Sequence, residues 1–161
     1  MAKQKDEKTN VMRILEQHGV AYTPHSYDHE DGAVDAATVA RLVGRDPAQV
    51  FKTLVARGAS GGYYVFDIPA EETLALKKAA KAVGEKSIAM LPQKELLPLT
   101  GYVHGGCSPI GMKKPFPTVF DETAELFDTI LVSAGKIGVQ IETSPAALLS
   151  LTGGSMADLT V

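Results

Sequence analysis

Residues 50–69 decide the predicted fold, and they read VFKTLVAR (50–57), GASGG (58–62) and YYVFDIP (63–69). Two runs rich in β-branched and aromatic residues flank a short glycine-containing segment, a pattern that predicts a β-hairpin. Further short apolar runs also read as strands, at 21–27, 87–91, 118–121, 129–135 and 138–142. A last strand is expected within residues 156–161.

Helical segments are predicted between these strands, at 9–18, 35–43, 72–83, 92–97 and 144–152, with a brief helical turn at 46–49. Each longer segment is followed by a glycine or a proline, residues that end helices. Strands broken by helices without strict β–α–β alternation predict an α+β fold with a mixed, mainly antiparallel sheet, which can curl into a barrel. Residues 1–8 are predicted to be a disordered tail and 9–161 a single domain.

The composition predicts a folded globular protein rather than disorder, since 45% of the 161 residues are hydrophobic and 22% are charged. The net charge of −3 does not predict a general affinity for nucleic acid. A polyanion would therefore need a local basic patch. The candidates for such a patch are Lys77, Lys78, Lys81, Lys113 and Lys114.

The sequence also predicts a cytoplasmic protein without a membrane span. No run approaches the ~20 apolar residues that a spanning helix requires. MAKQKDEKTN (1–10) lacks the apolar core of a secretory signal. Cys107 is the only cysteine, so no internal disulfide can form, which fits a reducing compartment.

A segment rich in glycine and proline, TGYVHGGCSPIGMKKPFP (100–117), is the first candidate for a binding site. Gly105 and Gly106 free the backbone for a close approach to another molecule, and their N–H groups are suited to a carbonyl, a carboxylate or a phosphate. The alternative is a structural connection between two strands, because glycine and proline are common in turns.

Two polar residues on apolar strands are further candidates. Lys52 either snorkels from a sheet edge or lines a pocket, where it would supply a fixed positive charge for a phosphate, a carboxylate or a developing oxyanion. Ser133, at the end of another strand, is either a substrate ligand or a turn former. These segments match neither GxxxxGK[ST] nor GxGxxG, so no nucleotide-binding motif is predicted.

The histidines and the cysteine suggest two other chemistries. His25, His29, His104 and Cys107 are nitrogen and sulfur donors suited to zinc, although nothing in the sequence shows that the two pairs meet. Cys107 alone is a candidate nucleophile, and the alternative is a small buried side chain. No nucleophile-elbow pattern supports a Ser/His/Asp triad.

Five stretches carry a resemblance to a known family: His25-Ser26-Tyr27, QVFKTLV (49–55), LKKAAKAVG (76–84), TGYVHGGCSPIGMKK (100–114) and VSAGKIGVQIE (132–142). Together they resemble the YbaK-type aminoacyl-tRNA deacylases, in particular the bacterial Cys-tRNA(Pro) deacylases. The second and the fourth stretch, in this order and spacing, are the specific ones. The resemblance extends from Thr9 to about Leu159.

The resemblance implies a mixed β-barrel flanked by helices and a metal-free trans-editing hydrolase, which cleaves the ester between a mischarged amino acid and its tRNA. The implied substrate is proline tRNA charged with cysteine, since a synthetase site excludes a similarly small side chain by only ~1–3 kcal/mol. The substrate's own thiol would attack the ester carbonyl, so the protein would position the reactants. Mischarged tRNA is the implied partner, with prolyl-tRNA synthetase as a second one and no cofactor.

The same resemblance assigns roles to individual residues. Lys52, Gly105 and Ser133 would be the catalytic set, with Lys52 facing the terminal ribose and phosphate region or the carbonyl oxygen. Tyr27 and Thr53 match substrate-pocket residues of the family, and Gly106, Cys107 and Gln140 complete the predicted substrate-binding set. Gln140 is neutral where some members have an aspartate, and an aromatic pocket residue of some members is absent around residues 34–35.

Two alternatives to this function are open at this point. Relatives with the same fold remove alanine from proline tRNA, which would require a water positioned by the protein. The other alternative is a tRNA-binding or synthetase-binding module without catalysis. Lys52, Gly105 and Ser133 argue against that module, whereas Gln140 leaves it open.

Overall fold

The structure, a computed structural model, describes residues 8–29, 32 and 34–161. Within these residues the helices are α1 (Asn10–Gln17), α2 (Ala36–Leu42), α3 (Leu76–Val83), α4 (Leu96–Thr100) and α5 (Pro145–Thr152). The strands are β1 (Thr23–Ser26), β2 (Phe51–Gly58), β3 (Tyr63–Pro69), β4 (Ile88–Met90), β5 (Thr118–Asp121), β6 (Ile130–Ser133), β7 (Val139–Thr143) and β8 (Ser155–Ala157). Short 3₁₀ turns lie at Pro47–Gln49, Gln93–Glu95 and Glu122–Leu126. None of the helices in this part of the chain is long and apolar enough to cross a membrane.

The strands form two sheets. The first has the order β1–β7–β6 and is antiparallel throughout. The second has the order β4–β2–β3–β5–β8, in which β2 runs antiparallel to β4 and β3, and β5 runs parallel to β3 and β8. The predicted α+β fold with mixed, mainly antiparallel pairing is confirmed, and the hairpin predicted at residues 50–69 forms β2 and β3.

The two sheets meet through a parallel bridge between Val50 and Leu131. Elsewhere in the described part of the chain each sheet keeps its own edges, and no closed barrel is found. The predicted barrel is therefore not confirmed. The bridge nevertheless brings the start of β2 beside β6, which places polar residues of both sheets close together.

The main core lies between α1, α5 and the strands β5–β7. Leu15 of α1, Leu148 of α5 and Ile141 of β7 are fully buried, and Phe51 and Phe120 fill the space between them. Each such side chain contributes about 1.5–3 kcal/mol when it is removed from water. The core therefore fixes β6 and β7, the two strands that later supply site residues.

The first helix begins as the sequence predicts, because the Thr9 side chain accepts a hydrogen bond from the Met12 N–H. The predicted tail covered residues 1–8, of which 1–7 lie outside the described residues. Lys8, the last residue of that predicted tail, is exposed, and its ammonium forms an ion pair with Glu16 at 2.8 Å.

The helix predicted from residue 72 begins later, at Leu76. The backbone before it is used by the C-terminal segment instead, since Leu74 bridges to Thr160 and the Ala75 N–H donates to the Leu159 carbonyl. Residues committed to that pairing cannot form the first helical turn.

The prediction that Pro98 ends a helix is wrong. The 3₁₀ turn at Gln93–Glu95 continues into α4, which contains Pro98 in its first turn. The backbone N–H groups of a first helical turn have no acceptor within the helix. Proline, which lacks an N–H, is therefore tolerated there. The helix ends instead at Gly101, whose φ of 87° is left-handed. The glycine-rich loop starts at this point.

Candidate active site

A cavity of about 470 Å³ lies where α2, β2, the glycine-rich loop and the facing ends of β6 and β7 come together. Six of the eight site residues predicted from the sequence line it: Lys52, Thr53, Gly105, Cys107, Ser133 and Gln140. A cavity of this size, with a few polar groups on a largely apolar wall, is typical of a small-molecule site.

Lys52 lines the cavity and is half-buried on β2, which lies between β3 and β4. Burial lowers the pKa of its ammonium group, while the carboxylates of Asp35 and Glu72 oppose that shift. No described carboxylate lies within ion-pair distance of the ammonium. The structure therefore supports the pocket alternative for Lys52 and leaves its charge available to a ligand.

The glycine-rich loop presents one amide to the cavity. Gly105 has a φ of 90°, which glycine adopts without strain, and its N–H donates to no acceptor among the described residues. Gly106 behaves differently, because its N–H donates to the Val103 carbonyl at 2.9 Å. The expectation that both amides are available is therefore wrong for Gly106.

Gly106 is a packing residue in this structure. A Cβ at this position would lie 3.0 Å from the Ile137 amide nitrogen and 3.1 Å from backbone atoms of Lys136. The glycine-rich loop thus rests directly on the turn between β6 and β7. Gly106 is not among the residues that line the cavity.

Ser133 and Gln140 are the contribution of the first sheet. They are opposite each other in the β6–β7 pair. The Ser133 oxygen accepts a hydrogen bond from the Gly135 N–H at 3.1 Å, so its own hydroxyl hydrogen can still donate to a ligand. The Oε1 atom of Gln140 is buried and has no hydrogen-bond partner within the described residues. It is an acceptor that a ligand could satisfy.

Cys107 lines the cavity but is not an activated thiol. It is 7% exposed and packs with Val55 and Val65. Burial, with a smaller effect of the nearby Asp67 charge, raises the pKa of its thiol to about 12. A nucleophilic cysteine needs the opposite shift. The alternative of a small buried side chain is the one the structure supports.

Tyr27 lies outside the cavity lining in the described part of the chain. Its backbone N–H donates to the Gly138 carbonyl at 2.9 Å, and its ring makes an edge contact with the His29 ring. Tyr27 therefore contacts the turn between β6 and β7, beside the site rather than in it.

The zinc alternative is not supported by the geometry. The described residues contain no group of three or more His, Cys, Asp or Glu side chains placed to hold a metal ion. His25 is bound through Nε2 to Glu142 at 2.8 Å, whereas His104 and Cys107 line the cavity. The four proposed donors do not converge.

The predicted site residues left out two parts of the cavity wall. His104 and Leu96 line the cavity, and residues 34–37 with Val39 form its α2 wall. Asp67 was also missed, although a single carboxyl residue inside the apolar run YYVFDIP was a visible signal. Its carboxyl group is fully buried behind Thr53 of the cavity lining, and the Thr53 hydroxyl and Asp67 Oδ1 form a hydrogen bond of 2.5 Å.

These groups are chemically suited to the cleavage of an ester or a similar acyl compound. A lysine ammonium, a free backbone amide and a hydroxyl around one cavity can stabilise the oxyanion that forms at a carbonyl under attack. Residues 30–151 match the family described as the aminoacyl-tRNA editing domain, and the chain belongs to this family. The resemblance to the YbaK-type aminoacyl-tRNA deacylases is thereby confirmed, and with it the predicted class of enzyme.

The similar proteins agree with this assignment. The chain is 48% identical to the "Putative Cys-tRNA(Pro)/Cys-tRNA(Cys) deacylase EbsC" of Enterococcus faecalis, over 99% of this chain and 98% of the relative. A solved structure described as "a putative trans-editing enzyme for prolyl tRNA synthetase" is 27% identical, with a TM-score of 0.80 over 97% of this chain and 99% of that one. The structure of hypothetical protein APE2540 has a TM-score of 0.86 at 23% identity, over 95% of this chain and 100% of that one, and shows the fold.

Proposed function

We propose that this protein hydrolyses proline tRNA mischarged with cysteine, and that the thiol of the substrate cysteine is the nucleophile. The observation that carries the proposal is the composition of the cavity. Its described residues offer groups for an oxyanion, Lys52 and the Gly105 amide, but include no activated nucleophile. The names of the 48% identical relative and of the trans-editing structure support the choice of substrate.

Neither candidate protein nucleophile is equipped to attack. Cys107 keeps its proton, since its pKa is raised to about 12. No histidine or carboxylate among the described residues accepts a hydrogen bond from Ser133, so that hydroxyl lacks a general base. A substrate that brings its own nucleophile needs neither of these activations. The protein then contributes proximity, which is worth up to ~7–11 kcal/mol in intramolecular reactions.

The proposed reaction has two steps. In the first step the substrate thiol gives its proton to water and its sulfur forms a bond to the ester carbonyl carbon, while Lys52 and the Gly105 amide stabilise the negative charge on the carbonyl oxygen. The bond from this carbon to the ribose oxygen then breaks, and the ribose oxygen takes a proton from water. In the second step water opens the resulting cyclic thioester and releases free cysteine.

The neutral Gln140 suits the amino group of the substrate. Its buried Oε1 has no partner among the described residues, so an aminoacyl ammonium group would supply the missing donor. Ser133, directly opposite, can donate its hydroxyl hydrogen to the same ligand. The two residues would hold the amino acid with its side chain facing its own ester.

The tRNA would be held by exposed lysines near the cavity. Lys113 reaches back to α4, where its ammonium donates to the Pro98 carbonyl at 3.3 Å, and α4 contributes Leu96 to the cavity wall. Lys78 is less available, because Asp158 and the Thr160 carbonyl hold its ammonium. We therefore assign phosphate contacts to Lys113 and Lys114. We further propose that the protein acts as one domain (9–161) in the cytoplasm, and that prolyl-tRNA synthetase is its second partner.

The test is hydrolysis of proline tRNA charged with cysteine, alanine or proline, with and without a chelator. The proposal predicts fast release of cysteine alone, unaffected by the chelator. Equal release of alanine would instead indicate a water positioned by the protein. No release of any amino acid would indicate a binding module without catalysis.

A further inference from the structure

Asp67 is a carboxyl residue in the interior of the second sheet. It lies on β3, directly opposite Thr53 of β2, and none of its surface is exposed. Thr53 belongs to the cavity lining, so Asp67 lies immediately behind a group that faces the ligand. The reaction proposed above does not use Asp67.

Few polar groups surround this carboxyl. Oδ1 is 2.5 Å from the Thr53 hydroxyl oxygen, and Oδ2 has no hydrogen-bond partner among the described residues. On its other side β3 pairs with β5, where Phe120 is in register with Asp67. Cys107 is the titratable group that faces it from the glycine-rich loop. No described cation forms an ion pair with it.

A carboxylate in such surroundings is unfavourable, because neither a cation nor a second donor replaces the water that it has lost. Burial accordingly raises the pKa of Asp67 to about 8, against the opposing effect of the Thr53 hydrogen bond. The neutral acid is therefore the main form at neutral pH.

The protonation state of Asp67 determines the direction of its hydrogen bond to Thr53. An ionised carboxylate can only accept, so the Thr53 hydroxyl must donate to it. A neutral carboxyl has one hydrogen to donate, and the acceptor at hand among the described residues is the Thr53 oxygen. In that arrangement the hydrogen of the Thr53 hydroxyl is not used by Asp67. Because Thr53 lines the cavity, this hydrogen can point to a ligand there.

We propose that Asp67 is a positioning residue for deacylation: as a neutral acid it donates to the Thr53 oxygen and turns the Thr53 hydroxyl hydrogen towards the aminoacyl ester in the cavity. This inference rests on the proposed deacylase function and adds a hydrogen-bond donor to the Lys52 and Gly105 groups. Ionisation of Asp67 reverses the bond and withdraws that donor.

Comparison of Asp67→Asn with the wild type over a range of pH tests this inference. The asparagine amide has a donor for the Thr53 oxygen at every pH and cannot ionise. We measure kcat/KM for cysteinyl proline tRNA from about pH 6 to about pH 9 and take the ratio of variant to wild type. The rate of spontaneous hydrolysis is subtracted at each pH, and ionisation of the substrate thiol changes both enzymes by the same factor and cancels in this ratio.

The ratio is expected to be within a few fold of one at about pH 6 and to rise about tenfold at about pH 9, because the wild type then has about one tenth of Asp67 in the neutral form. Asp67→Leu, which has no donor for Thr53, should lose activity at all pH values. In a Thr53→Val background the further change Asp67→Asn should leave the pH profile unchanged. Thr53→Val by itself should not show the decline in kcat/KM that ionisation of Asp67 causes in the wild type towards about pH 9. This variant keeps the test decisive if Asp67→Asn does not fold.

The contrary results are distinct. A ratio that stays constant with pH, with an active wild type, would overturn the role of Asp67 alone. A folded Asp67→Asn enzyme that is inactive at every pH would show that the carboxylate acts as a base, which also overturns it. Failure of the wild type to release cysteine at any pH would overturn the proposed function itself.

Discussion

Arg45 and Glu142 form a bidentate ion pair, with Nη1 donating to Oε2 at 2.8 Å and Nη2 donating to Oε1 at 2.9 Å. Arg45 follows α2, whose first turn forms a wall of the cavity, and Glu142 lies two residues after Gln140 on β7. His25 and the Thr129 hydroxyl bind the same carboxylate. The ion pair thus connects the α2 wall to the strand that carries a site residue.

This pair predicts a pH-dependent stability. The pKa of Glu142 is lowered from its usual 4.5 to about 2, and the hydrogen bonds from Arg45 are the largest cause. Because the pKa of Glu142 is lower in the folded than in the unfolded protein, its ionisation stabilises the folded state at pH values above the unfolded pKa. This stabilisation is lost as the pH falls from about 4.5 towards about 2. Glu142→Gln should reduce the free energy of unfolding by about 1–3 kcal/mol at neutral pH and flatten the decline in acid. Urea denaturation at neutral pH and at about pH 3 measures both effects.

A matched control for this variant is Glu16→Gln, since Glu16 forms an exposed pair with Lys8. Exposed pairs contribute little, so its unfolding curve should stay close to that of the wild type. If Glu142→Gln lost stability in acid as steeply as the wild type, the assignment of the acid-sensitive group would be wrong.

Lys52→Ala should abolish most of the deacylase activity without unfolding the protein. Removing one group that stabilises an oxyanion costs about 10²–10³-fold in rate, and Lys52 makes no ion pair with the described residues that the fold would lose. Single-turnover hydrolysis and the melting temperature are the measurements. Lys78→Ala, on the exposed face of α3, is the control and should be active. Wild-type turnover in a folded Lys52→Ala protein would remove Lys52 from the site.

Cys107→Ser should retain activity within several fold of the wild type. The Cys107 thiol is buried and its pKa is raised to about 12, so the reaction does not depend on its thiolate. The assay is release of cysteine from proline tRNA by the variant, with circular dichroism to check folding. Complete inactivity of a folded variant would instead point to a nucleophile supplied by the protein.

Gly106→Ala should weaken the contact between the glycine-rich loop and the turn after β6. The added Cβ would lie 3.0–3.1 Å from backbone atoms of Ile137 and Lys136, which can move only together with the turn. We expect a loss of about 1–3 kcal/mol in stability and reduced activity, because Gly105 and Ser133 lie at this contact. Thermal denaturation and the deacylation assay check this, and an unchanged melting temperature would show that the loop adapts freely.

Much of the fold follows from local signals in the sequence. The glycine-containing segment between two β-rich runs identified the hairpin of β2 and β3. The predicted helices at 9–18, 35–43 and 144–152 correspond to α1, α2 and α5, which the side chains of Thr9, Asp35 and Ser144 cap. These features depend on neighbours within a few residues, which a sequence shows directly.

Features set by distant contacts were harder to predict. The late start of α3 depends on pairing with the C-terminal segment, and the division into two sheets depends on which strands pair. The same limit applies to the site. A lysine in an apolar strand was recognisable as unusual, but the packing of Gly106 against the turn between β6 and β7 is a contact between segments distant in sequence. Asp67 stands out in the apolar run of β3 in the same way as Lys52 does in β2.

The most direct test of the central claim compares proline tRNA charged with cysteine and with 2-aminobutyrate, in which a methyl group replaces the thiol. The two side chains have nearly the same size, so both should enter the cavity. If the substrate thiol is the nucleophile, the cysteinyl ester should be hydrolysed at least about 100-fold faster. Equal single-turnover rates for the two esters would contradict the account and assign the attack to water or to a group of the protein.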